Sequence, residues 1–319
     1  MDSVTFDALD RRLLHALQLD GRAPFSRIAE VLDVSDRTLA RRAARLRASG
    51  RVRVAGVADG GRLGGAEWLV RMRTDPAHAV GLARDLARRA DTRWVTVLSG
   101  GTELTSIFRV ADQGPAPLAA LARHPRITDL RAHRLLRHLT DRHWSGRTSA
   151  LTEAQIAELR VAPDGVSGPV TLTDPDKRLL SALAVDGRAA CPELARQVGW
   201  SESAVRRRLA ELRRSGVLRF DVEVDSALLG HPVQCLLWLA VSPGSLAPTA
   251  AALAADPETA YIGATTGTHN LLAVAVFRNA EDLYAYTTDR LGSLDGIQAL
   301  ETAPITGYAK RAAPPLPTR

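Results

Sequence analysis

Two stretches decide how this chain is read: DRRLLHALQLDGRA at residues 10–23 and DKRLLSALAVDGRA at residues 176–189. They stand 166 residues apart, and the register holds beyond them. Ser35 falls on Ser201, Arg41 and Arg42 on Arg207 and Arg208, Leu46-Arg47 on Leu212-Arg213, and Ser49-Gly50 on Ser215-Gly216. That makes roughly 19 identities over 41 positions, a register that shared composition would not produce. Fainter echoes follow, with Leu63-Gly64 against Leu229-Gly230 and, after a shift of one, Ser99-Gly100 against Thr266-Gly267. The chain is a tandem duplication of a unit of roughly 140 residues. A Gly/Ser/Pro-rich linker over 146–171 joins the copies, and Thr152–Leu159 within it fits a short capped helix.

Each copy opens with helices. Leu13, Leu14 and Leu17 form one apolar stripe between Asp7 and Asp20, and Gly21 ends that helix. Ile28, Ala29 and Leu32 mark a second, short helix after Pro24. Asp33-Val34 breaks the pattern before a third helix from Ser35 to Ser49. On a 100°-per-residue wheel with Leu39 at zero, Ala43 and Leu46 lie within about 40° of it, whereas Arg37, Arg41 and Arg45 fall between about 160° and 240°. Copy two turns Val205, Leu209 and Leu212 inward and Ser203, Arg207 and Glu211 outward, flanked by Arg206, Arg208 and Arg213. Helix, short helix, tight turn and basic third helix make a helix-turn-helix, whose third helix fits the ~12 Å major groove of DNA.

The alternating runs Arg51–Val57 and Val217–Val224 predict a wing or hinge strand after each head. Copy two then reads strand (Val233–Val241), helix (Ser245–Ala255), strands (Thr259–Thr265 and Leu271–Phe277), helix (Glu281–Leu291) and strand (Ile297–Thr306). Copy one follows with Trp68–Arg73, Ala77–Arg89, Trp94–Leu98, Leu104–Val110, Ala116–Ala122 and Ile127–Arg134. The order βαββαβ is that of a ferredoxin-like sandwich. The class is therefore α+β, with two winged helix-turn-helix domains and two ferredoxin-like domains in tandem. The boundaries read 1–57, 58–145, linker 146–171, 172–223 and 224–319. Helices cover one face of such a sheet, and the open face predicts pairing with a second copy, hence a homo-oligomer.

Composition agrees with a folded, soluble chain: of 319 residues, 45% are hydrophobic and 24% charged. No apolar run approaches the ~18 residues of a membrane span, and the acidic start lacks a signal peptide's form, so a cytoplasmic protein without membrane contact is expected. Of 42 basic residues only Lys177 and Lys310 are lysine; the rest are arginine, whose planar fork suits phosphates and guanine edges. Residues 1–57 carry 11 basic and 7 acidic groups and 58–145 carry 14 and 9, but 224–319 carry 5 and 8. A basic front suits a polyanion. Two cysteines, Cys191 and Cys235, are too few for a disulfide framework and read as small core residues.

The motif over Asp176–Val217, Asp-x-x-Leu-Leu-x-x-Leu, Asp-Gly-Arg, Leu-Ala, Ser-x-x-x-Val-x-x-Arg-x-x-x-Leu-x-x-x-Gly-Val, resembles the Lrp/AsnC family of transcription regulators. The resemblance covers both copies apart from the linker and the tail after Lys310. It implies a head that binds double-stranded operator DNA, a sheet domain that pairs face to face, assembly into higher oligomers, and control by small effectors, usually amino acids. On that basis Arg37, Arg41, Arg42, Arg45, Arg206, Arg207 and Arg208 are candidate phosphate and guanine contacts, with Ser35, Thr38, Ser201 and Ser203 near the groove edge.

The family's effector site lies by the turn between the second and third sheet strands, where a Thr-Gly-x-x-Asp type sequence is implied. Copy two has Thr266-Gly267-Thr268-His269-Asn270 there, with asparagine for the acidic residue, and copy one has Ser99-Gly100-Gly101-Thr102-Glu103. Each is also compatible with an ordinary hairpin turn. No metal site or cofactor is expected: His133, His138 and His143 recur every five residues, which shares neither a helix face nor a strand face. Arg131–Arg142 reads as the decorated last strand and exit of copy one. Phosphate loops, serine elbows and HExxH motifs are missing, so the chain reads as a regulator, not an enzyme. The alternative is an enzyme resembling siroheme decarboxylases, which would gather His and Arg at the sheet cavity; His231 and His269 lie in the right half.

Overall fold

A computed structural model describes residues 6–50, 52–59, 63, 65–111, 118–140, 149–160 and 170–311. Like pieces of the two copies gather into two compact units, one from 1–64 and 148–228, the other from 65–147 and 229–311.

The first unit holds both heads. In copy one, α1 (Ala8–Leu19) starts from a reciprocal cap, Asp7 Oδ1 accepting the Asp10 N–H at 2.8 Å. Helix α2 (Phe25–Leu32) ends at Asp33, whose φ of 53° is left-handed, and α3 (Asp36–Ala48) starts where the Ser35 hydroxyl accepts the Thr38 N–H at 3.1 Å. Copy two repeats this with α7 (Asp174–Val185), α8 (Cys191–Val198) and α9 (Glu202–Arg214), and Gly199 takes the left-handed position of Asp33 at φ 77°. Leu13, Leu14, Ile28 and Leu39 are fully buried, as are Leu179, Leu194, Val205 and Leu212. Linker helix α6 (Glu153–Leu159) sits on head one, its Gln155 side chain donating to the Val31 carbonyl at 3.0 Å. Beside it, the Ala150 N–H donates to Nδ1 of buried His15 at 3.1 Å.

The strands that follow the heads form no wing hairpin. Instead β1 (Val52–Ala58) pairs antiparallel with β6 (Leu218–Val224), from Val52 opposite Val224 to Ala58 opposite Leu218. Each strand finds its hydrogen-bond partner in the other copy, so the expected wing is replaced by a ribbon shared between the copies.

The second unit contains both sheet domains. Copy one supplies β2 (Gly65–Arg73), α4 (Pro76–Arg88), β3 (Thr92–Leu98), β4 (Glu103–Ala111), α5 (Leu118–Ala122) and β5 (Asp129–His138). Copy two supplies β7 (Val233–Val241), α10 (Leu246–Ala254), β8 (Thr259–Thr265), β9 (Leu271–Phe277), α11 (Ala280–Ala285), a π-helical turn over Tyr286–Leu291, and β10 (Ile297–Lys310). The eight strands close into one barrel in the order β10-β3-β4-β2-β5-β8-β9-β7. β5 and β10 outrun their predicted ends at Arg134 and Thr306 because their final residues cross to the other copy: His138 pairs with Gly263, and Tyr308 with Thr96.

Alternation along the strands sorts two kinds of core. Val70, Met72, Leu104 and Phe108 pack outward with Leu82 and Leu86 of α4, while Leu237, Leu239, Leu271 and Ala273 pack with Ala250 and Leu253 of α10. Inside the barrel, Leu69 and Leu98 of copy one meet Leu236, Trp238 and Leu272 of copy two. The open sheet face expected to pair with a second copy is thus covered by the other copy within this chain. Cys235 is fully buried, but Cys191 opens α8 only half-buried, which corrects its reading as a core residue; proline follows it and the helix turns Leu194 inward instead. His143 and Arg142 lie outside the described residues.

Candidate nucleic-acid interface and effector turns

Each third helix has an anchored arginine and exposed ones. Arg42 reaches back to α1, with Nη1 2.5 Å from Asp7 Oδ2 and 3.0 Å from Asp10 Oδ1, and Arg45 Nη2 donates to Asp10 Oδ2 at 2.5 Å. At the matching place in copy two, Arg208 grips Asp176 through two 2.8 Å hydrogen bonds and pairs with Glu211 at 2.7 Å. Burial pushes the Asp176 carboxyl up, yet Arg208 and Thr173 together hold it below the ordinary carboxylate range. Arg42 and Arg208 therefore do not stand on the outer face with the other candidates; they fix the third helix to the first. Both carboxylates are almost fully buried, and a buried carboxylate needs such a partner.

The rest of the predicted set is outward. Arg37, Arg41 and Arg207 are exposed and make no ion pair among the described residues, and exposed Arg206 pairs along the helix with Glu202. Ser35 and Thr38 share a hydrogen bond at 2.7 Å, as do Ser201 and Ser203 at 3.0 Å, so these hydroxyls gather at the two helix N-termini. Such ends, with free N–H groups and exposed guanidiniums alongside, suit phosphate oxygens.

A set of residues that the candidate list omits ties head to head. Arg22 Nη1 donates to the carbonyls of Gly187 and Ala189 at 2.7 and 3.1 Å, and Arg188 donates to those of Gly21 and Ala23 at 2.8 and 3.0 Å. Arg213 pairs with Asp20 at 2.8 Å and Arg47 with Asp186 at 2.7 Å. The signal was present in the sequence as the repeated Asp-Gly-Arg, at which each copy clasps the other.

The two effector turns differ. In copy two, Thr266, Gly267 and Thr268 are exposed, and the turn is held to β5: the Thr266 N–H donates to the Arg134 carbonyl at 2.9 Å, and the Thr266 carbonyl lies 2.8 Å from His133 Nδ1. Gly267 has φ 103°, and a Cβ there would stand 2.4 Å from the His133 ring. Burial lowers the His133 pKa despite its bond to Thr266. Asn270 is already engaged, since its Oδ1 accepts the Val241 N–H at 2.9 Å and its Nδ2 donates to the Val241 carbonyl at 2.8 Å. It stitches β7 to the turn. In copy one, Ser99–Gly101 makes a single 3-10 turn, Thr102 bonds back to Ser99, and buried Gly101 lies against α4. Glu103 points into the barrel.

There Arg71 takes both carboxylates: Glu103 at 2.6 and 3.0 Å from copy one, Glu301 at 2.6 and 3.0 Å from copy two, with its guanidinium 4.2 Å from the Trp238 ring centre. A second cluster joins Glu67 to His138 at 2.8 Å and Arg109 at 3.3 Å, with the Tyr261 hydroxyl 2.9 Å from His138. Burial alone would raise the Glu67 carboxyl; the hydrogen bond and charge of His138, with Arg109 and Arg93, bring it down to about 2. The structure thus turns His138 inward but commits it to Glu67 and Tyr261, and it buries His231 two residues before β7. Among the described residues no group of three or more His, Cys, Asp or Glu could hold a metal ion, and no helix is long and apolar enough to cross a membrane.

The model of the AsnC-type helix-turn-helix domain matches residues 6–47 and 172–213, and that of the Lrp/AsnC ligand binding domain matches residues 234–314. An HTH-type transcriptional regulator of Pyrococcus furiosus is 30% identical over 140 residues, which is 44% of this chain and 95% of that protein. The chain belongs to the Lrp/AsnC family. The HTH-type regulator LrpA of Pyrococcus horikoshii is 28% identical over 123 residues, 38% of this chain and 87% of its own. Lrp/AsnC relatives of this size correspond to one copy of the duplicated unit. The crystal structure of the siroheme decarboxylase NirDL shares the fold across 96% of this chain and 93% of its own, with a TM-score of 0.62 at 17% identity.

Proposed function

We propose that the chain is a sequence-specific DNA-binding transcription regulator, not an enzyme, in which two non-identical heads read two half-sites of double-stranded operator DNA. The observation that carries this is the division of labour on both third helices: Arg42 and Arg208 anchor the helix, which leaves Arg37, Arg41, Arg206 and Arg207 outward and exposed. Covering of the sheet faces within the chain supplies the pairing that single-copy relatives would need two chains for. We therefore place association between whole chains on helix-covered outer faces.

For the effector, the copy-two turn is the better candidate, because Thr266, Gly267 and Thr268 are exposed whereas Gly101 is buried. With Asn270 in the place of the implied acidic residue and engaged by Val241, the motif lacks the charge that would favour an ammonium group. Amino acids that raise the melting temperature of the wild type, but not of His269→Ala, would support that placement.

Fluorescence anisotropy on the chain's own upstream DNA and on scrambled DNA, at several salt concentrations, tests the main proposal. Preferential, salt-sensitive binding that weakens in Arg41→Ala and Arg207→Ala is expected. Equal weak binding to both DNAs, unchanged in the variants, would refute binding at that site. A coloured preparation with a visible absorption band would favour the decarboxylase whose fold the chain shares.

A further inference from the structure

The clasp between the heads joins two arginines to backbone carbonyls across the copies. Arg22 and Arg188 are half-buried, and burial lowers the pKa of each, with the charge of Arg22 adding to the effect on Arg188. Their direct acceptors are neutral carbonyls of the opposite copy, not carboxylates. Two guanidiniums brought close together this way lose hydration and repel each other, a cost that the stacking of Arg188 on Phe25 at 4.3 Å and of Arg22 near Phe220 at 5.7 Å offsets in part. What the arrangement supplies is direction: a planar fork on two carbonyls fixes both distance and angle.

Further contacts extend that fixity to the reading helices. Gly21 and Gly187 let the two loops press on the β1–β6 ribbon, where a Cβ would stand 2.7 Å from Phe220 Cβ and 2.9 Å from the Val54 carbonyl respectively. The Gly187 N–H donates to that carbonyl at 2.8 Å. Arg213, in the last turn of α9, reaches Asp20 of head one while stacking near Phe220; Arg47, in the last turn of α3, reaches Asp186 of head two. Each recognition helix is therefore tied at its C-terminal end to the loop of the other head.

We propose that this reciprocal Asp-Gly-Arg clasp is the gauge that sets the spacing between half-sites the chain accepts, with Arg22 and Arg188 as the specificity-determining pair. The inference rests on the DNA-regulator reading. One base pair of altered spacing moves a half-site by about 3.4 Å and turns it by about 35°, which a rigid pair of heads cannot follow and a loose pair can.

The full chain would first be used to select its preferred sites from random DNA, and the spacing within the winning site would then be changed by one and two base pairs either way. Wild type should lose roughly tenfold or more in affinity per base pair of altered spacing, a penalty on the scale of a mismatched base pair or larger. Arg22→Ala/Arg188→Ala should bind a single half-site like wild type and yet vary less than about threefold across spacings. Unchanged spacing discrimination in that variant would overturn the proposal. Arg47→Gln/Arg213→Gln, which touches only the outer pairs, replaces it if the first variant does not fold, and is expected to relax the preference in the same direction. Spin labels on Arg37→Cys and Ser203→Cys, in a Cys191→Ala background, give a reading that needs no DNA. A narrow distance distribution that broadens in the clasp variant supports the gauge even where selection yields no preferred site, an outcome that would fail the regulator reading alone. An equally narrow distribution in the variant sinks the gauge.

Discussion

Replacing Arg71 with methionine should weaken the barrel more than any surface change. Arg71 and Glu103 are both more than nine-tenths buried, and the guanidinium makes four hydrogen bonds of 2.6 to 3.0 Å to Glu103 and Glu301. Methionine keeps the length and the contact with Trp238 but leaves Glu103 as a buried, unpaired carboxylate, which costs about 3–5 kcal/mol. The Glu301 side chain is 41% exposed, so its pair adds at most about 1 kcal/mol. At about 2–4 °C per kcal/mol for a unit of this size, calorimetry should find the transition lowered by about 6–24 °C. Arg71→Met/Glu103→Met removes both charges and should recover much of the loss. Arg71 also holds the Glu301 carboxyl below its ordinary range, so this contribution is present above the ordinary carboxylate pKa and fades as the pH falls below it. A loss under about 1 kcal/mol, or a double variant no more stable than the single one, would show that the pair is not the strut between the copies.

Other outcomes follow from the same geometry. Arg207→Ala should lower the slope of log affinity against log salt by about 1, whereas Arg208→Ala should destabilise head two, seen by thermal melting, because it strands Asp176. The Glu67 carboxyl, depressed from 4.5 to about 2, gives stability that is complete above about pH 4.5 and lost between there and pH 2; Glu67→Gln should flatten the melting temperature over that window. Burial lowers the His15 pKa from its usual 6.5, so the unfolded chain takes up protons first and stability falls as the pH drops below about 6.5. Protection factors over residues 149–159, corrected for intrinsic exchange, should fall in that range in wild type and stay level in His15→Leu.

The architecture was legible because helices and strands carry local periods, and the duplication wrote each period twice. The inward arginines were legible too, although the outward arc drew the eye: Arg42 lies only about 60° from Leu39 on the wheel, beside the buried stripe and not opposite it. What no period encodes is which strand meets which. The pairing of β1 with β6 and the seams from β5 to β8 and β10 to β3 join residues far apart in sequence, and an alternating run does not name its partner. Asn270 illustrates the same limit at the level of one side chain. Its position in the motif suggested a ligand contact, and only the fold brings the Val241 backbone to its amide.

Closure of the barrel also determines what company the chain can keep. With β3 bonded to β10 and β5 to β8, each sheet already holds the edges through which another protein's sheet would join, so a foreign half could enter only by opening two seams at once. Where several members of the family share one cell, the paired edges stand against trading halves with them. Its two copies remain partners at a fixed ratio of one to one, and a change in either is answered only by the other, which leaves each head free to drift toward its own target sequence.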